Sequence, residues 1–147
     1  MRSLVSTSPP MSIEARRTKL VETALTYLGT PFRHQGRTPG IGLDCAGLII
    51  CSANESGYHV DAPTVYGRRP RPKELLRYLS QFCVEVENDG TAGLIHFTRP
   101  RAGSRGGHFT LRVDEHRIVE AVMGSAVGIN NYDPKLVLST WRLKEPA

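Results

Sequence analysis

Cys45 stands where a glycine-rich loop gives way to a compact apolar stretch, in the run GLDCAGLIICSANESG that extends from Gly42 to Gly57. Asp44, directly before it, is a good helix cap, because its carboxylate can accept a hydrogen bond from a first-turn amide. A helix beginning at Cys45 follows. The unpaired amides and the dipole at such a terminus favour negative charge, which suits a thiolate nucleophile. The alternative is an inert cysteine packed as a small hydrophobe. A general base decides between them.

Histidine is the usual base, since it titrates near neutrality. Five are present, His34, His59, His96, His108 and His116. His108 follows the glycine-rich loop RAGSRGG and opens the strand-like run FTLRV, which places it at the mouth of a sheet. His116 falls in the polar turn Asp114–Glu115–His116–Arg117 and is expected to be exposed. His96, inside LIHF, has no clear facing, and His34 lies on the loop before Cys45, where it could line a cleft. If the chain returns through residues 114–117 in a hairpin, Glu120, twelve positions after His108, comes back beside it. Its carboxylate could then accept the ring N–H and hold the tautomer. On an alternating strand Glu120 would equally be free to face solvent.

The elements that must position these groups are legible in outline. Residues 1–11 carry Ser, Thr and the Pro9–Pro10 pair and are expected to form a loose arm. Leu20, Val21, Ala24, Leu25 and Leu28 make an apolar stripe on a helix capped by Ser12 and stopped by Gly29. TPFRHQGRTPGIGLD is a surface loop leading to the Cys45 helix, and Lys73 to Gln81 is a short helix with Leu75, Leu76 and Leu79 inward and Pro72 in its first turn. Beyond it, Cys83–Val86, Leu94–Phe97, Phe109–Val113, Ile118–Val122 and Leu136–Trp141 are β-branched or aromatic runs bounded by turn residues. Helices followed by an antiparallel sheet make an α+β fold in one domain over residues 12–147.

Composition narrows the function. At 147 residues and 39% hydrophobic, the chain suits one core. Three cysteines without a CxxC pair argue against a disulfide framework and a zinc knuckle, and no metal or cofactor is expected. The net charge of +5 is dispersed except for Arg68, Arg69, Arg71 and Lys73, a run without interleaved aromatics, so nucleic acid is not the expected partner. An anionic cell wall would be attracted by the same charge. No apolar run reaches signal-peptide or membrane-span length, so delivery other than by a leader is expected.

With these residues placed, the chain resembles the NlpC/P60 cysteine peptidases, through LGTPFRHQG, GLDCAGL, GGHFTLRV and RIVEAV in the family's order and near its spacing, from Leu28 to Val122. The resemblance implies a reduced papain-like fold and cleavage of peptidoglycan stem peptides, often between D-glutamate and diaminopimelate. Cys45 would be the nucleophile, His108 the base and Glu120 the third residue, where the family usually carries His, Asn or Gln. Phe32 matches a position where relatives often have a tyrosine lining the site, and Phe32, His34 and Asp44 are expected to bound the substrate cleft. The stretch LGTPFRHQGRTPGIGLDCAGL most resembles the phage-encoded branch, which implies partners at a tail tip or hub and a place in the virion. Because Glu120 and Phe32 depart from the family pattern, a structural tail-tip protein with reduced activity is the alternative, and acyl transfer by the same thioester is another.

Overall fold

The computed structural model describes residues 11–61, 71–99 and 107–146. Most of the expected arm, the arginine run at 68–69 and the loop at 101–106 lie outside the described residues. The chain folds as α1 (Ile13–Leu25), β1 (Arg37–Thr38), β2 (Gly42–Leu43), α2 (Cys45–Glu55), α3 (Pro72–Leu79), β3 (Cys83–Glu85), β4 (Ile95–Thr98), β5 (His108–Arg112), β6 (Arg117–Ala121), β7 (Val127–Asn131) and β8 (Val137–Leu143). It is an α+β fold with three α-helices and a six-stranded antiparallel sheet among the described residues.

Helix α1 starts as the sequence predicts, with the Ser12 hydroxyl accepting from the Ala15 amide at 3.1 Å. It buries Leu20, Val21 and Ala24. Its end differs from expectation, for the last helical residue is Leu25 and Leu28 lies in the following turn, 44% exposed. Thr26 caps the helix, and Gly29 reverses the chain at φ 87°, a conformation that favours glycine.

Helix α2 is the centre of the molecule. It packs on α1 and on β5 and β6, and Leu48, Ile49 and Ala53 are completely enclosed. A helix covered on this many sides needs apolar residues nearly all round, which the run CAGLIICSA supplies. Burial of Leu48 and Ile49 stabilises this placement by about 2 kcal/mol each. The one internal hydroxyl, Ser52, donates back to the Leu48 carbonyl at 2.6 Å and adds no unmet polar group. Helix α3 buries Leu75, Tyr78 and Leu79, with Leu76 half-buried, and Pro72 occupies its first turn.

The main sheet has the order β3-β8-β4-β5-β6-β7, so the last strand is inserted between the third and fourth. Ile95, Phe97, Phe109, Leu111, Val119 and Ala121 join the core that contains α2. Pleating then puts His96, Thr98, His108, Thr110, Arg112 and Glu120 together on the other face. Two features were not expected. The loop before Cys45 contains the β1–β2 pair, and β7 forms the sheet edge. With Gly128, Asn130, Asn131 and a 38% exposed Ile129, β7 has little of the composition that marks a strand.

Candidate active site

The approach to Cys45 is built from backbone. The segment around Phe32 lies alongside β2, where the Arg33 amide donates to the Leu43 carbonyl at 3.1 Å and the Leu43 amide to the Pro31 carbonyl at 3.1 Å. On its other side, the Phe32 amide donates to the Ser125 carbonyl at 2.9 Å. The loop is thus clamped between the β6–β7 turn and the residues that precede the nucleophile.

Asp44 joins loop and helix. Its Oδ1 accepts from the Gly47 amide at 2.7 Å and from Arg37 Nη1 at 3.0 Å, while Oδ2 accepts from the Gln35 amide at 2.9 Å. Arg37 also reaches the Tyr78 hydroxyl of α3 at 3.3 Å, and its carbonyl accepts the Cys51 thiol at 3.2 Å. Gln35 adopts a positive φ of 58°, rare outside glycine, to aim its amide at Asp44. Gly47 has to be glycine, since a Cβ there would overlap the Gly36 carbonyl; Gly36 in turn lies against the Gly42 carbonyl. Three glycines and one carboxylate therefore set the loop directly on the first turn of α2.

His108 enters from the sheet. Gly107 allows this, because a Cβ at that position would meet the Phe97 ring. His108 pairs with Thr98 across β4–β5, and one step along the β5–β6 register from Leu111↔Val119 puts Glu120 opposite Thr110. Glu120 is consequently diagonal to His108 on the same face, and its Oε1 lies 2.8 Å from His108 Nε2. The Cys45 thiol is close enough to act on the same imidazole, and with Glu120 it favours the protonated ring. With Nε2 engaged by Glu120, Nδ1 is the nitrogen that serves the sulfur.

The electrostatics follow from this arrangement. Burial by itself lowers the pKa of His108, but its hydrogen-bonding and charge interactions with Cys45 and Glu120 overcome this and raise the group to about 9. Glu120 is 1% exposed, and Asn130 Nδ2 donates to its second oxygen, Oε2, at 2.7 Å. Burial pushes the thiols of Cys51 and Cys83 up, away from nucleophilic use.

A cavity of about 30 Å³ lies on the far face of the sheet, bounded by His96, His108, Thr110, Glu120 and Tyr132. His96 is fully enclosed there. Its Nδ1 lies 3.0 Å from the Thr140 hydroxyl and its Nε2 lies 3.3 Å from Arg112 Nη1. A guanidinium can only donate, so Nε2 accepts and the proton is on Nδ1. Burial, reinforced by the Arg112 charge, lowers the His96 pKa to about 4.

The structure thus brings together Cys45, His108 and Glu120, with Asp44 at the helix start. Asp44 is 3% exposed and its carboxylate holds internal donors, so its part in the cleft is to support the wall. Phe32 is half-buried against the core, and His34 is exposed on the loop that follows it. His116 is exposed, as its turn implies. Sequence reasoning missed Arg37 and Asn130, which become visible only once β1 and β7 are in place. Among the described residues, no group of three His, Cys, Asp or Glu side chains is placed to hold a metal, and no helix is long and apolar enough to cross a membrane.

No protein-family model matches the chain, and no curated protein matches it. Solved structures do. A lipoprotein-like NLP/P60-family protein of Staphylococcus aureus aligns with TM-score 0.63 and 21% identity over 97% of this chain and 46% of its own. The NlpC/p60 domain of the peptidoglycan hydrolase SagA aligns with TM-score 0.59 and 18% identity over 88% and 98% of the two chains. RipD of Mycobacterium tuberculosis, a non-catalytic NlpC/p60 domain protein adapted to peptidoglycan binding, aligns with TM-score 0.57 and 16% identity over 86% and 95%. The present chain spans less than half of the staphylococcal protein. Its elements, their order and the layering of helices on an antiparallel sheet are those of the NlpC/P60 fold.

Proposed function

We propose that this chain is a cysteine peptidase of the NlpC/P60 type that cuts stem peptides of peptidoglycan, at the D-glutamyl–diaminopimelate bond. The observation that carries this reading is the His108 imidazole, held at 2.8 Å by Glu120 and acted on by the Cys45 thiol at the start of α2. His108 takes the proton of Cys45, and the sulfur attacks the substrate carbonyl carbon. The Cys45 amide, in the first turn of α2, is assigned to the oxyanion. As the tetrahedral intermediate collapses, the C–N bond breaks and His108 gives its proton to the leaving amine. Water then attacks the thioester, losing a proton to His108; the acid is released and the thiol restored. Glu120 orients the ring and stabilises its cationic form at each stage.

The test is Cys45→Ala assayed on purified peptidoglycan, with released peptides identified by mass spectrometry. Loss of at least a thousandfold in turnover is expected, and unchanged clearing refutes the assignment. The second reading is a wall-binding or structural tail-tip protein with little turnover, favoured by Phe32 in place of the tyrosine and by the likeness to RipD. A thiol probe separates the two, for a peptidase requires Cys45 to label well ahead of Cys51 and Cys83 at neutral pH. Use by a phage tail is supported by the 28–48 loop and helix start, and immunogold labelling of particles would test it.

A further inference from the structure

We propose that Asn130 is a positioning residue of this site, a fourth member that holds Glu120 in its working orientation and acts on His108 only through it. This rests on the peptidase assignment for its consequence in turnover, though not for its physical content.

The argument starts from the ladder. Glu120 is diagonal to His108 across β5–β6, and Asn130, paired with Ile118, is diagonal to Glu120 across β6–β7. The two steps repeat one geometry, and side chains on one face at diagonal positions come within reach when they are long enough. The residue directly opposite Glu120 is Gly128, which has no side chain to compete for the carboxylate. Asn130 Nδ2 therefore meets Oε2 at 2.7 Å while Oε1 meets His108 at 2.8 Å.

A carboxylate is symmetric, and this one is divided between two donors on opposite sides. Without the Asn130 contact, Glu120 could turn about its terminal torsion and lengthen the bond to the imidazole. It would also be a nearly fully buried acid with one fewer donor, which favours its protonated form. Each change weakens the hold on the histidine cation. A neutral amide at position 120 would need no such neighbour, because it has no negative charge to keep in a buried place; the carboxylate of Glu120 is what gives the amide of Asn130 its part. Among the described residues, the other titratable or charged groups around His108 are Cys45 from α2 and, across the cavity, His96, Arg99, Tyr132 and Asp133. Among the described residues, the Asn130 amide is hydrogen-bonded to Glu120 and to none of these, so the route through Glu120 is separable.

The experiment is a double-mutant cycle read on the His108 imidazole by NMR titration in the full chain, with Asn130→Ala, Glu120→Gln and the double variant. Asn130→Ala is expected to lower the His108 pKa by roughly half to one unit, and to change it by less than about 0.2 in the Glu120→Gln background. In parallel, kcat on peptidoglycan should fall roughly three- to tenfold with KM unchanged. Asn130→Ser, which keeps a donor, should recover part of both effects and serves if the alanine variant loosens the edge strand. An unchanged His108 titration, or an equal change in both backgrounds, overturns the proposal. Wild-type protein without peptidase activity but with the coupled titration intact would reject the assigned function while supporting the role of Asn130.

Discussion

Replacing Glu120 by Gln removes one negative charge from beside His108 and leaves the shape of the side chain. His108 is raised from 6.5 to about 9, and since burial acts downward, the hydrogen-bonding and charge interactions with Cys45 and Glu120 together account for more than the whole rise. A rise of that size corresponds to about 3 kcal/mol of preference for the protonated imidazole. If the two partners share it evenly, Glu120→Gln brings His108 down by at least about one unit, to roughly 7 to 8. The new amide would also confront the amide of Asn130, donor against donor, until Asn130 turns its oxygen inward. A group whose pKa is higher in the folded than in the unfolded protein adds stability that is complete below the unfolded value, here 6.5, and vanishes as pH rises through about 9. The stability difference between wild type and Glu120→Gln should therefore be larger at pH 6 than at pH 9.5, by about 1 to 2 kcal/mol. Urea melts at the two pH values measure this, and NMR titration of His108 in a Cys45→Ala background isolates the carboxylate's share from the thiol's. Should His108 titrate at the same pH with Glu and with Gln at 120 in that background, the carboxylate does not act on the imidazole and the electrostatic account of the site is wrong.

His96 has the opposite sense. Its pKa is lowered to about 4, so the unfolded chain takes the proton first and stability declines as pH falls from 6.5 toward 4, by up to about 3 kcal/mol; chemical melts should show this acid limb flattened in His96→Gln. Together the two histidines place maximal stability near pH 6.5. Gly47→Ala drives a methyl into the Gly36 carbonyl and should destabilise the protein by about 2 kcal/mol or more while shifting the first turn of α2, read by thermal melts and by the Cys45 labelling rate. Phe32→Tyr adds a hydroxyl beside the proposed cleft and, on the peptidase reading, should raise kcat on peptidoglycan about several-fold; an unaltered or lower rate would show that the segment clamped at Leu43 and Ser125 presents this position differently.

How much could be foreseen depended on whether a feature is local. Ser12 and Asp44 as caps, Pro72 in a first turn, and the start of α2 at Cys45 are decided by hydrogen bonds within one turn of chain, so residue type alone sufficed. The return of Glu120 to the side of His108 was legible because a hairpin of fixed register brings the chain back to a calculable place. By contrast, the insertion of β8 between β3 and β4, the pairing of the polar edge strand β7, and the turning of Leu28 out to solvent depend on which distant surfaces bury the most apolar area. That is a property of the whole core. The same holds for Arg37 and Asn130, ordinary polar residues in their own segments. They acquire their partners only because the folded chain excludes water from Asp44 and Glu120, where a buried carboxylate without donors would be costly and the nearest amide or guanidinium becomes indispensable.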